Sequence, residues 1–349
     1  MGEISLKSIK YESIKSIFAS IADSEKISRA DISKLTGLSL VTVGKIADAL
    51  LDSGMICQVK EVRAQAGRRA GVLSVNEAKF MLIIDLTSFC FKAFVLDLRM
   101  HQSSKISFDY KGDLLFSENM NRFLGEVAVM ISKKYDTADC IGIGVSVAGS
   151  YNTDTDTAVS TKLPELSSVK LRSTIAKYFP EAEIIIDSHT NTAAKYNVTH
   201  TEKYKEKSIV YWYVGSDYIS GAYIVDGVMM QGKDGKACDF GSLLQFEDLT
   251  LEDKVKMAKD QNTCAEALSG SIFNVMKILN PHTVIMEFDT DYSTDGILPI
   301  IKDLLMKKYR IKRDEMPEFI KAFAGVRSSH RGLALNLREL WLDKIVFSQ

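Results

Sequence analysis

Ile9, Ile14, Ile17, Phe18 and Ile21 recur at helical spacing and predict a first helix over roughly 8–22. Ser28 stands as an N-cap ahead of a short second helix over about 29–35, with Ile32 and Leu35 facing inward. Thr36-Gly37-Leu38 follows as a sharp turn, in which glycine supplies the positive φ and Leu38 tucks inward. Ser39 caps a third helix whose apolar positions Val43, Ile46, Leu50 and Leu51 fall on one face, and Gly54 ends it. An extended stretch from Ile56 to Lys60, a turn at Ala66-Gly67-Arg68-Arg69 and a returning Val72-Leu73-Ser74-Val75 predict a β-hairpin.

Two short helices around a tight glycine turn, the second opening on small polar side chains, make a helix-turn-helix pattern. The reason is access: a major groove about 12 Å wide admits a helix whose first turn can approach the base edges. Here that turn is Ser39, Leu40, Val41 and Thr42, with Lys45 one turn on. Ser39 and Thr42 suit hydrogen bonds to bases or phosphates, Val41 a thymine methyl and Lys45 a phosphate. Arg29, at the start of the second helix, joins the DNA-contact candidates. Gly67, Arg68 and Arg69 at the hairpin tip suit a narrow minor groove, where the potential is most negative. Helical hairpins with glycine turns, and arginine pairs at loop tips, also occur without any nucleic acid, so spacing alone leaves both readings open. The run ISRADISKLTGLSLVTVGKIADALLDSGMI followed by AGRRAGVLSVN closely resembles the winged helix of the ROK-family regulators (repressor, open reading frame, kinase), which are typically sugar-responsive. One departure is Ala70, where that family usually has proline after the arginine pair.

Beyond residue 80, strand-like and helix-like segments alternate, which makes the class α/β. Met81–Asp85 and Ala93–Asp97 read as a hairpin, and a helix over 115–134 carries Phe123, Leu124, Val127, Val129 and Met130. A buried strand at Ile141–Val147, a helix near 169–178, a strand at Ile184–Asp187 and a helix at 190–198 follow, before a second strand cluster over 208–230. Two such lobes resemble the actin-like ATPase fold, and in detail the sugar-kinase branch of ROK proteins, over most of 80–345. The expected organisation is a winged helix-turn-helix over 1–79, a first α/β lobe over 80–200, and over 201–349 a second lobe that also dimerises.

The resemblance implies kinase motifs, and the departures from them are informative. A phosphate cradle needs glycine, because a Cβ holds the backbone away from the ligand. The first phosphate loop reads Asp85-Leu86-Thr87-Ser88-Phe89, and the second Gly215-Ser216-Asp217-Tyr218-Ile219-Ser220-Gly221, where Asp217 would repel phosphates. The adenosine-binding glycine pair is replaced by Glu287-Phe288-Asp289, so a closed nucleotide site is expected. His189 stands where the family has its catalytic aspartate, in Ser188-His189-Thr190-Asn191. A histidine can act as a general base, but without a phosphate cradle that gains little, and no catalytic residue is assigned. Cys238-Asp239-Phe240-Gly241-Ser242 matches the sugar-gripping stretch with serine in place of a zinc-binding histidine, and the downstream cysteine-rich zinc motif is absent. Lys162 sits where the family has a sugar-binding asparagine, and Gly232-Lys233-Asp234-Gly235 keeps the shape of another sugar-contacting turn. Lys162, His189, Asn191, Asp234 and Asp239 are the ligand-binding candidates; ordinary surface or hinge polarity is the competing reading. Lys162, Lys233 and Lys236 point to an acidic ligand such as a phosphosugar or sugar acid.

Composition adds limits. No apolar run approaches the roughly 20 residues that span a bilayer, and the mixed charge of the first 18 residues is unlike a signal peptide, so a cytoplasmic location with no membrane partner is expected. Residues 1–79 carry 12 Lys+Arg against 9 Asp+Glu and the remainder 32 against 36, the asymmetry expected of a DNA-binding head on a neutral-to-acidic body. The five cysteines are scattered, with no CxxC, so they read as reduced thiols, and neither a metal nor a cofactor is expected. The expected partners are double-stranded DNA bearing a pseudo-palindromic operator, a sugar or phosphosugar effector, and further copies of the chain as a homodimer or dimer of dimers. Two other readings remain: a sugar kinase with an attached DNA-binding head, and a constitutive DNA-binding dimer that takes no ligand.

Overall fold

The first helix, α1 (Leu6–Ala22), buries Ile14, Ile17, Phe18 and Ile21 at the i, i+3, i+4, i+7 spacing of one helical face. The computed structural model describes residues 6–59, 71–160, 162–199, 204, 207–216, 218–245, 248–290, 294–323 and 328–347. A two-residue strand, β1 (Ile27–Ser28), leads into α2 (Arg29–Thr36), capped where the Asp31 N–H donates to Ser28 Oγ at 3.1 Å. Gly37, at φ 70°, closes α2 and turns the chain into α3 (Leu40–Asp52). Ile32 is fully buried, but Leu35, expected inward, is 69% exposed. The glycine turn swings the chain back so that Leu38 packs against the head's core instead. β2 (Ile56–Val59) and β3 (Val72–Val75) form the stem of the wing, with β3 between β1 and β2. The wing tip, including Gly67, Arg68 and Arg69, lies outside the described residues.

The first lobe is built on β4 (Phe80–Leu86), β5 (Cys90–Asp97) and β6 (Gln102–Asp109), an antiparallel meander. Against it lies α4 (Phe116–Lys134), burying Phe116, Met120, Phe123, Leu124, Val127 and Ile131. Val129, expected on that face, is half exposed, because the buried stripe passes from Val127 to Ile131 four residues on. β7 (Cys140–Val147) runs parallel to β4, followed by the small hairpin β8 (Ser150–Asn152) and β9 (Thr157–Val159), α5 (Leu171–Ala176), β10 (Ile184–Ser188) parallel to β7, and α6 (His189–Thr199). The sheet order is β10-β7-β4-β5-β6.

The second lobe repeats the plan. β11 (Ser208–Gly215), β12 (Ile219–Val225), β13 (Val228–Met229), α7 (Leu251–Lys256), α8 (Gln261–Leu279), β14 (Thr283–Asp289), α9 (Thr294–Lys307) and β15 (Glu318–Lys321) form a sheet of order β13-β12-β11-β14-β15 with helices against it. Trp212, Leu268, Ile272 and Met286 are fully buried in its core.

The last helix, α10 (Ser328–Phe347), leaves this lobe and crosses back. Leu333 and Leu337 share one core with Met81 and Ile83 of β4 and with Phe18 and Ile21 of the head. Close approach to α6 depends on Gly332, whose added Cβ would lie 1.9 Å from the Thr192 carbonyl oxygen. A further tie comes from Arg99, whose Nη2 donates to the Ser24 and Glu25 carbonyls and to Ser74 Oγ. Head and body are thus joined by one continuous apolar core plus a guanidinium clamp, not by the wing stem alone.

Candidate nucleic-acid interface and interlobe cleft

At the start of α3, the Thr42 N–H donates to Ser39 Oγ at 3.1 Å, and the two side-chain oxygens share a hydrogen bond at 2.8 Å. The cap fixes both hydroxyls at the helix end, where unpaired N–H groups and the helix dipole favour an anion. Leu40 and Val41 project from the same turn with 56% and 69% exposure. Lys45 is exposed one turn on. Ser39, Leu40, Val41, Thr42 and Lys45 therefore form one continuous outer surface of α3, while Val43, Ile46 and Leu50 hold its other face in the core. Arg29 has a partner within the head. Its Nη2 lies 2.6 Å from Asp48 Oδ1, pinning α2 to α3.

The cleft candidates divide into separate groups. His189 is almost fully buried, its Nδ1 3.1 Å from Tyr218 Oη and its ring edge-on to Tyr213 at 4.6 Å. Tyr213 Oη donates to Asp289 Oδ2 at 3.0 Å, and Tyr211 donates to Glu287. Lys162 Nζ lies 5.1 Å from the centre of the Tyr218 ring, so Lys162 and His189 do converge, through a tyrosine. Asn191 belongs elsewhere. Two residues along α6 from His189, it faces the opposite side, lining a cavity of about 360 Å³ with Asp187, Asn336 and Glu339. Asp187 is held above the usual carboxylate range by burial, despite the Ser188 N–H and Asn191 beside it. Asp239 is exposed and accepts from Ser242 Oγ at 2.7 Å. Asp234 sits in the backbone turn Lys233–Gly235.

Asp85, near the end of β4, is turned into the core. It accepts from the Thr87 N–H at 3.0 Å and from Thr87 Oγ1 at 2.5 Å, and lies 3.1 Å from His330 Nε2. Gly215, Ser216, Asp289, Thr290, Lys256 and Lys259 line a cavity of about 650 Å³, in which Asp289 is also bonded to Tyr213.

Sequence reasoning missed Tyr213, Tyr218, His330 and the acid–base cluster where α1, α6 and α10 meet. In that cluster Glu339 accepts from Lys195 at 2.7 Å and pairs with Lys15 at 2.9 Å. Burial opposes its charge, but the two lysines outweigh burial and hold the carboxyl below its ordinary range. No periodicity reports such contacts, since the partners lie on different elements. Among the described residues no group of three or more His, Cys, Asp or Glu could hold a metal, and no helix is long and apolar enough to cross a membrane. All five cysteines are free.

A winged helix on a two-lobed α/β body is a fold shared with solved proteins. A solved ROK-family regulator described as a homologue of the E. coli MLC protein superposes with a TM-score of 0.70 at 15% identity, over 97% of this chain and 99% of that one. A ROK-family glucokinase from Streptomyces griseus, solved with glucose and AMPPNP, superposes with a TM-score of 0.58 at 12% identity, over 74% of this chain and 99% of that one. The kinase therefore matches the share of the chain taken up by the body, and the regulator nearly the whole. In sequence the chain is similar to a xylose repressor of Caldicellulosiruptor bescii, 26% identical over 246 residues. The matched stretch covers 66% of this chain but 58% of that relative's length. No family model matches.

Proposed function

We propose that the chain is a sequence-specific, DNA-binding transcriptional regulator acting as a repressor in the cytoplasm. Residues 1–79 read DNA, and the body over 80–349 holds two copies together and senses a carbohydrate-derived effector without turning it over. The observation that carries this reading is the outer face of α3, where two large apolar side chains and two capped hydroxyls are offered to solvent in a helix whose other face is fully packed. Leu40 and Val41 gain nothing from water, but each can pack on a thymine methyl. Arg68 and Arg69 complete the reading from the wing, in the minor groove. A two-fold dimer places two such helices on half-sites of a pseudo-palindrome. The repressor names carried by sequence relatives favour repression and make xylose and related aldoses the first effectors to test.

The candidate effector contacts in the cleft are Lys162, His189, Asp234 and Asp239, with Asn191 on the rear face of α6. An effector shifts DNA affinity only if it binds the two head–body arrangements unequally. The route for that difference runs along α6, which starts at His189 and reaches, through Lys195 and Glu339, the head's Lys15.

The test is binding of the intact chain to labelled DNA from upstream of its own and neighbouring genes, against excess random competitor. A competitor-resistant complex, lost when Arg68 and Arg69 are changed to alanine, supports the reading. No complex on any of these fragments rejects it. A constitutive dimer without effector is the second reading, favoured by one observation: His189 is already buried against Tyr213 and Tyr218, which occupy its side of the cleft. DNA affinity unchanged by every aldose and aldose phosphate tried would select it.

A further inference from the structure

Between α1 of the head, the turn after β5, α6, α10 and, from the second lobe, β12 and β13 lies a cavity of about 800 Å³. No residue of α2 or α3 lines it, so it is separate from the DNA-reading face. Five cations meet there, Lys15, Arg99, Lys195, Arg331 and Arg338, against three carboxylates, Glu12, Asp23 and Glu339. Glu339 is shared by Lys15 and Lys195. Arg99 is occupied by the Ser24 and Glu25 carbonyls and the Ser74 hydroxyl.

Arg331 and Arg338 are different. Among the described residues neither meets a carboxylate at ion-pair distance. Arg331 donates from Nη1 to Tyr196 Oη at 3.0 Å and lies over that ring. Arg338 donates from Nη1 to the Leu98 carbonyl at 3.2 Å and lies over the Phe18 ring of the head. The Nε–H of each is buried with no acceptor. Each guanidinium lines the cavity with a single neutral acceptor for its N–H donors, and an anion there supplies both charge and further acceptors. Burial accordingly pulls the Arg338 pKa down, with Asp23 and Glu339 opposing. Planar guanidinium donors match the oxygens of a phosphate. The excess of two positive charges matches the charge of about −1.5 to −2 that a phosphomonoester carries at neutral pH.

We infer that this cavity is a binding site for a small phosphate-bearing molecule, held by Arg331 and Arg338 with Lys15 and Lys195 beside them. None of Lys162, His189, Asn191, Asp234 or Asp239 lines this cavity, so the proposal does not depend on the effector contacts given above. A molecule bound there touches the head's α1 and the body's α10 together, and so stiffens the joint between them.

The test is thermal melting of the full chain in sodium phosphate against sodium chloride at matched ionic strength, repeated with glucose 6-phosphate and with glucose. The expected result is a saturable rise in Tm of roughly 2–4 °C with phosphate. Arg331→Met and Lys15→Met should each diminish it, and Lys312→Met, at an exposed position away from the cavity, should leave it. A larger rise with glucose 6-phosphate than with phosphate, and none with glucose, identifies an ester as the ligand; equal rises identify free phosphate. No rise beyond chloride, or a rise that survives both Arg331→Met and Lys15→Met, overturns the proposal. Lys15 is on the surface of α1, so its variant keeps the test open if Arg331→Met fails to fold.

Discussion

The Glu339 carboxylate on the last helix lies 2.9 Å from the Lys15 ammonium on the first helix of the head. The same carboxylate holds Lys195 of α6, so one acid ties the first helix of the head to the helix that begins at His189. Its side chain is 15% exposed, enough desolvation for the cluster to exceed an ordinary surface ion pair.

Glu339→Gln should destabilise the chain by about 1–3 kcal/mol at neutral pH, read by urea denaturation. The carboxyl titrates below its ordinary 4.5 in the folded chain. Its stabilisation is therefore present above about pH 4.5 and is lost as pH falls through the lower folded value. The gap between wild type and variant should narrow below that pH. A gap that stays constant from pH 7 into that range would remove Glu339 as the titrating tie.

Val41→Asp should leave Tm within about 1 °C, because the side chain touches solvent and not the core, yet weaken operator binding at least tenfold. Loss of both stability and binding would mean that Val41 packs into the core of the head.

Lys45→Ala and Arg29→Ala separate a phosphate contact from an internal tie. Lys45→Ala should lower the slope of log affinity against log salt by about one. Arg29→Ala should leave that slope unchanged and cost at most about 1 kcal/mol of stability, since its partner Asp48 is well exposed. A reduced slope in Arg29→Ala would return Arg29 to the DNA surface.

Gly332→Ala places a methyl against the Thr192 carbonyl and should cost about 1–3 kcal/mol by forcing α10 off α6. Denaturant melting measures the loss, and operator binding should change with it if α10 carries the joint. A neutral substitution would show that the two helices can separate freely.

Most element boundaries were legible because their causes are local. Ser28 and Ser39 cap helices through an N–H three residues away, Gly37 supplies its own positive φ, and the 3.6-residue spacing of Ile14, Ile17, Phe18 and Ile21 specifies a buried face without reference to the rest of the chain. Spacing alone also placed Ser39, Leu40, Val41, Thr42 and Lys45 together, since they fall on one short stretch of helix. It could not decide partners from distant segments. Arg29 reads as a free cation until Asp48 of the next helix is beside it, and Leu35 reads as core until Leu38 takes the position. His189 and Asn191 are near neighbours in the chain but face opposite sides of α6, one against Tyr218 and the other toward α10. The burial of Asp85 against His330 and the convergence of Lys15, Lys195 and Glu339 belong to tertiary structure alone, because hydrogen bonds and ion pairs depend on distances in space that chain spacing does not encode.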